Sequence, residues 1–174
     1  SATLLKVSDN KSLKFNIKND GSQYDKLIVR NGGSRNPIFN TYKKAGSNSA
    51  SDNFIFMDGM KIFEFAINEV PKLILETLNE YEIKLHELDL IAVHQANKLI
   101  VNTIAKKLNA GFDLVPFGAE NVGNTGSASI PLLISTLPSR KGRELNKVLL
   151  CGFGAGLSWG ATLADLSNTK FIPV

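Results

Sequence analysis

Two short runs, Leu90-Ile91-Ala92-Val93 and Val148-Leu149-Leu150-Cys151, constrain this chain more than any other feature. Each is apolar at every position, which in a strand means burial on both faces, inside a sheet covered by helices. Strands are therefore expected over residues 88–93 and 147–151. Both runs break abruptly at their C-terminal ends. The first turns polar at His94-Gln95-Ala96-Asn97, and the second turns small at Gly152-Phe153-Gly154-Ala155-Gly156. The carboxyl ends of strands are where open α/β sheets usually place their chemistry.

The remaining patterns supply the covering layers. Ile62, Phe63, Ala66, Ile67, Val70, Ile74 and Leu78 recur at helical spacing across residues 60–80, with Pro71 expected to kink that helix or divide it. Ile100, Ile104 and Leu108 form a stripe at intervals of four, so a helix is predicted over residues 97–108, with Gly111 as its stop. A third helix is expected over 127–137, with Pro131 near its first turn. Short strands are predicted over 3–7, 13–17 and 26–30, with turn chemistry at 19–22 and 31–34. Residues 41–53, rich in Ser, Asn, Lys and Gly, read as a surface loop. Residues 152–156 read as a glycine-rich bend, and 157–166 as a last strand. The order of strands, helix, strand, helix, helix, strand and strand predicts the α/β class, with a mixed sheet flanked by helices. At 174 residues the chain fits a single domain.

Composition narrows the function classes. A hydrophobic fraction of 43% and a charged fraction of 21% suit a packed core rather than a disordered chain. The single cysteine, Cys151, rules out an intramolecular disulfide and a cysteine-rich metal site, and suits a cytoplasmic setting. No apolar run is long enough to cross a bilayer, so no membrane partner is expected. The net charge of +4 comes without basic blocks interleaved with aromatics, which argues against nucleic acid. The chain opens on SATLLKV, which reads as a strand already under way, so a longer parent protein is expected.

Three polar clusters sit at the ends of these elements. His94 could donate a hydrogen bond to a carbonyl oxygen, or it could simply close a strand while Asn97 caps the following helix. Asn124, within Asn121-Val122-Gly123-Asn124-Thr125-Gly126-Ser127, could present its amide N–H to an oxyanion, or the segment could be a glycine-bounded turn. Gly154 and Ala155 lie where backbone N–H groups can approach an anion, although the spacing is not a phosphate-binding fingerprint. Together they offer a histidine, an asparagine and a backbone N–H loop, a set suited to acyl transfer but without a nucleophile. Cys151 lies inside an apolar run, where a thiol is poorly nucleophilic.

In combination these residues resemble the C-terminal half of the β-ketoacyl-acyl-carrier-protein synthase III family, condensing enzymes of the thiolase superfamily. The motifs that carry the resemblance are His94-Gln95-Ala96-Asn97, Gly123-Asn124-Thr125 and Gly152-Phe153-Gly154-Ala155-Gly156-Leu157-Ser158-Trp159-Gly160. Met57-Asp58-Gly59 and Gly32-Gly33-Ser34-Arg35 are similar to further landmarks of the family, and the likeness runs from Ser1 to Asp165. The resemblance implies a single C-terminal thiolase-like domain over residues 1–174, with the catalytic cysteine in an N-terminal half outside this chain. It implies that His94 and Asn124 hold the thioester carbonyl of malonyl-acyl-carrier protein while carbon dioxide leaves. Gly154 and Ala155 would belong to the second oxyanion loop, with Ala155 where many relatives have glycine. Gln95, Asn97, Lys98, Lys106 and Lys107 would lie at the carrier-protein and coenzyme A surface. The substrates would be acyl-coenzyme A and malonyl-acyl-carrier protein, with no cofactor and no metal, and the enzyme would be a homodimer. One departure stands out: the family often has arginine two residues after the motif's asparagine, and this chain has Leu99 there.

Two rival readings remain. A thiolase would use a second cysteine near the glycine loop as acid and base, and Cys151 invites that comparison. A non-catalytic half would bind the carrier protein without becoming acylated, and this chain alone should be inactive under either enzyme reading.

Overall fold

A computed structural model describes residues 13–32, 53–137 and 145–171 of the chain. Its elements are β1 (Asn16–Asn19), β2 (Leu27–Val29), β3 (Ile55–Met57), α1 (Gly59–Glu80), β4 (Leu90–Val93), α2 (Lys98–Lys107), α3 (Ser129–Thr136), β5 (Val148–Gly154) and β6 (Ser158–Ala164). The two apolar runs are neighbours: β4 and β5 pair in parallel, from Leu90 opposite Val148 to Val93 opposite Cys151. Parallel strands need a long crossover, and here it contains α2 and α3. β6 pairs antiparallel with β5, and β1 antiparallel with β6, giving the order β1-β6-β5-β4. The sheet is therefore mixed and flanked by helices, as the alternation of patterns predicts. β2 and β3 form a separate antiparallel ribbon.

The pleat sorts the core into two layers. Ile91, Val93, Leu149 and Cys151 point to the face covered by α1 and α2, and Trp159 and Ala161 of β6 join them. Leu90, Ala92 and Val148 point the other way and pack on Leu133 and Ile134 of α3. Because α3 lies over the β4 side of the sheet, the same face is open farther along. There a groove of about 640 Å³ is lined by residues that include Ile17, Leu150, Gly152 and Gly160, with Ile130 and Pro131 also in its wall.

The helix ends follow from local chemistry. Asp58 caps α1 by accepting from the Lys61 backbone N–H (3.1 Å), and Asn97 caps α2 by accepting from Ile100 N–H (2.9 Å). α1 runs unbroken through Pro71, which is buried, rather than dividing there. An interior proline costs about 3 kcal/mol. The apolar stripe from Ile62 to Leu78, buried against the sheet and α2, offsets that cost. α2 stops at Asn109 rather than at Gly111. Asn109 takes φ 52°, and the bonds Asn109 N–H to Lys106 O and Ala110 N–H to Ala105 O close the end.

The strands differ from expectation in three places. β1 begins at Asn16, and residues 13–15 do not pair backbone to backbone with β6; instead Thr162 Oγ1 donates to Lys14 O (2.7 Å). β5 continues through Gly152, Phe153 and Gly154, so the bend is confined to Ala155–Leu157. β3 has no counterpart in the sequence reading. The strand expected at residues 3–7 lies outside the described residues. So do the loop expected at 41–53, apart from Asn53, and residues 33–35.

Candidate active site

His94 is the first residue past β4, and its backbone N–H donates to Cys151 O (2.9 Å), so the parallel ladder fixes where it emerges. Its ring is held on two sides. Nδ1 lies 2.7 Å from Ser129 Oγ at the start of α3, and the ring meets Phe153 edge-on with centroids 5.2 Å apart. Phe153 in turn packs edge-on against Phe65 of α1, which meets Trp159 of β6 in the same way. Partial burial pushes the His94 pKa below its ordinary 6.5, opposed by a hydrogen bond with the Gly126 backbone. The imidazole is therefore neutral at pH 7.

Asn124 sits in an exposed loop between Gly123 (φ 67°) and Gly126 (φ 60°). Both glycines occupy the left-handed region that side chains avoid. Asn124 Oδ1 accepts from Gly126 N–H (2.9 Å), which leaves the Nδ2 donor as the end it can offer outward. The loop is tied to the histidine twice, through the Gly126 backbone and through Ser129 five residues on. Gly154 and Ala155 reach the same place from β5, one and two residues beyond the phenyl ring that touches His94. Ala155 is exposed. Three chain segments thus converge at the carboxyl ends of β4 and β5, and the groups they bring are neutral hydrogen-bond donors. Such a set can stabilise negative charge developing on an oxygen.

The other expected residues are placed differently. Gln95 was expected at a partner surface, but it is 2% exposed. Its amide is committed inside the protein: Nε2 donates to Val93 O (2.8 Å), and Oε1 accepts from Gly118 N–H (2.9 Å). It fastens the segment at Pro116–Gly118 to the end of β4. Asn97 is exposed, yet its Oδ1 is the cap of α2. Lys98 and Leu99 are exposed on the first turn of α2, and Lys106 and Lys107 on its last, where Lys107 Nζ donates to Asn68 Oδ1 (2.8 Å). Cys151 is wholly buried on the face covered by α1 and α2, and burial pushes its thiol up to about 12. A thiol so buried and so weakly acidic is poorly suited to be the acid and base of a thiolase loop.

Sequence reasoning missed Ser129. A serine opening a helix carries no local signal of a contact with a histidine 35 positions away.

The sequence and the fold have counterparts among known proteins. Residues 78–166 match the family described as 3-oxoacyl-(acyl-carrier-protein) synthase III, C terminal. The chain is similar to the β-ketoacyl-(acyl-carrier-protein) synthase III of Streptococcus gordonii, 35% identical over 92% of this chain and 48% of that protein. A solved 3-oxoacyl-(acyl-carrier protein) synthase from Burkholderia xenovorans superposes with a TM-score of 0.72 at 36% identity, over 87% of this chain and 43% of that one. The 3-oxoacyl-(acyl carrier protein) synthase III of Pseudomonas aeruginosa superposes with a TM-score of 0.74 at 28% identity, over 97% of this chain and 49% of that one. The chain thus spans about half the length of the curated relatives it matches. The matched stretch contains the polar end of β4, the Asn124 loop and the β5–β6 turn, and the chain belongs to the 3-oxoacyl-(acyl-carrier-protein) synthase III C-terminal family.

Proposed function

We propose that these residues form the C-terminal half of a condensing enzyme that joins the acyl group of acyl-coenzyme A to malonyl-acyl-carrier protein with loss of carbon dioxide. On this reading the nucleophilic thiol lies outside the 174 residues, because their one cysteine is buried and protonated. The thiol displaces coenzyme A from the acyl donor and becomes a thioester. Malonyl-acyl-carrier protein then loses its carboxylate as carbon dioxide. The electron pair of the broken carbon–carbon bond passes into the thioester, placing negative charge on its oxygen. His94 and Asn124 donate N–H groups to that oxygen. The resulting enolate carbon attacks the acyl-enzyme, and the oxyanion formed there is met by backbone N–H groups of the Gly154–Ala155 turn. Collapse expels the thiolate and releases the 3-oxoacyl chain on its carrier.

The observation that carries this reading is the state of His94: a half-buried imidazole, held at Nδ1 by Ser129, with its pKa depressed. A neutral ring offers one N–H without adding a charge, which suits an oxyanion better than a base would. The exposed Lys98, Lys106 and Lys107 suit an acidic carrier protein, and Leu99 reduces the positive charge beside them. We assign the whole enzyme to the cytoplasm as a homodimer, in fatty-acid or related acyl-chain initiation.

Incubating the full-length protein with acyl-coenzyme A and then with malonyl-acyl-carrier protein tests the assignment. Intact mass should rise by one acyl group, and carbon dioxide and 3-oxoacyl product should then form in equal amounts. Carrier binding without acylation would instead support a non-catalytic half.

A further inference from the structure

The Ser129 hydroxyl lies between two groups of the β4 end. Its Oγ is 2.7 Å from His94 Nδ1 and 3.3 Å from the Gln95 backbone nitrogen, and the residue is 3% exposed. A hydroxyl has one proton to give and two lone pairs to receive with. The Gln95 N–H can only donate, so Oγ accepts there. The contact with Nδ1 then has two forms: either the hydroxyl donates to a bare Nδ1, or a protonated Nδ1 donates to the hydroxyl. In the second form the serine proton would need another acceptor in a buried place. Among the described residues, the hydrogen-bond contacts of Oγ are these two. The first form satisfies every group, and buried polar groups are nearly always satisfied. It leaves Nδ1 without a proton.

We propose that Ser129 is a positioning residue for His94: it takes the Gln95 N–H, gives its own proton to Nδ1, and so keeps the imidazole proton on Nε2. The inference rests on the condensing-enzyme reading, in which an N–H of His94 must point at the thioester oxygen. Ser129 touches no substrate in this scheme. The Gly126 backbone also hydrogen-bonds the ring, and with that contact and the edge of Phe153 the serine sets which ring nitrogen is the donor and the plane of the ring. It also explains why α3 begins at this place relative to β4: the helix start delivers the hydroxyl to the strand end.

The test uses the full-length protein labelled with 15N-histidine, with His94→Ala to assign the resonance, alongside Ser129→Ala and Ser129→Thr. The wild-type spectrum should show His94 protonated on Nε2, and Ser129→Ala should show a mixture of tautomers. In Ser129→Ala, acylation by acyl-coenzyme A should be unchanged. Decarboxylation of malonyl-acyl-carrier protein should slow about tenfold at constant KM, the loss expected for one such hydrogen bond. Ser129→Thr, which keeps the hydroxyl, should restore both rate and tautomer. A wild-type His94 protonated on Nδ1 would overturn the inference, as would Ser129→Ala decarboxylating at the full rate. The wild-type spectrum decides even where a variant does not fold. Should the wild type neither acylate nor decarboxylate, the condensing reading falls while the spectrum still reports on Ser129.

Discussion

Replacing Gln95 with alanine separates a residue that meets a partner from one that holds the site together. In the structure the side chain makes two well-formed hydrogen bonds, to Val93 O at 2.8 Å and from Gly118 N at 2.9 Å, and a longer one to Pro116 O at 3.4 Å. Gln95→Ala leaves the carbonyl of fully buried Val93 without its amide partner, which costs roughly 1–3 kcal/mol. Losing the acceptor for Gly118 N–H adds about 1 kcal/mol, since that residue is half-buried and water can reach it only in part. The expected total is about 3 kcal/mol; each kcal/mol lowers the melting temperature by about 2–4 °C in a unit of roughly 150–250 residues and by less in a longer protein. The assay is a thermal melt of the full-length protein beside a titration of carrier protein. The structure predicts a melting point lowered by several degrees, with the carrier KM unchanged among molecules still folded. An unshifted melt with a raised KM would instead return Gln95 to the partner surface.

Three further outcomes follow from the geometry. Cys151, with its thiol pushed up to about 12, should resist iodoacetamide at pH 8 until the protein is unfolded, and Cys151→Ala should leave condensation nearly intact; rapid labelling of the native protein would contradict its burial. Gly156→Ala should destabilise the β5–β6 turn by roughly 1–3 kcal/mol, because the residue sits at φ 139° and an added Cβ would lie 2.9 Å from the Ser158 backbone nitrogen. A melt and a decarboxylation rate both at wild-type values would show that the turn tolerates a side chain. Folding lowers the proton affinity of His94, so acid favours the unfolded chain: the contribution of the neutral ring is complete above pH 6.5 and is lost as pH falls through the depressed native value. The acid limb of decarboxylation that belongs to His94 should accordingly have its midpoint below pH 6.5, and a midpoint assigned to His94 at or above that pH would be inconsistent.

How much the sequence revealed depended on whether the deciding interaction was local. α2 was legible almost to the residue, because its stripe, its Asn97 cap and its boundaries all lie within a dozen positions. β4 and β5 were legible as buried strands because only double-sided burial accommodates an unbroken apolar run. Their limits were less clear. β5 extends through Phe153 because Trp159 and Ser158 of the next strand pair with it. β3 was missed since its partner β2 lies more than 25 positions earlier and all three of its residues are exposed, giving no alternation to read. Pro71 misled in the other direction: a local breaker was overridden by burial of the whole helix face, which is a tertiary effect.

The candidate site divides along the same line. His94, Asn124 and the glycine turn stood out as candidates because strand ends and glycine clusters mark themselves in sequence, and only the family resemblance gave them roles. Which of their neighbours face inward did not. Gln95 and Asn97 belong to the same four-residue motif as His94, yet one is buried in a backbone network and the other caps a helix. Ser129, the residue that grips the imidazole, is visible only once α3 is packed over β4.

In the proposed mechanism His94 and Asn124 serve the decarboxylation and not the acylation. Measuring the two half-reactions separately in full-length protein carrying His94→Ala tests it most directly. Acylation by acyl-coenzyme A should stay near the wild-type rate, and carbon dioxide release from malonyl-acyl-carrier protein should fall about 10²–10³-fold, the loss typical of one oxyanion donor. Undiminished carbon dioxide release, or an equal loss in both half-reactions, would contradict it.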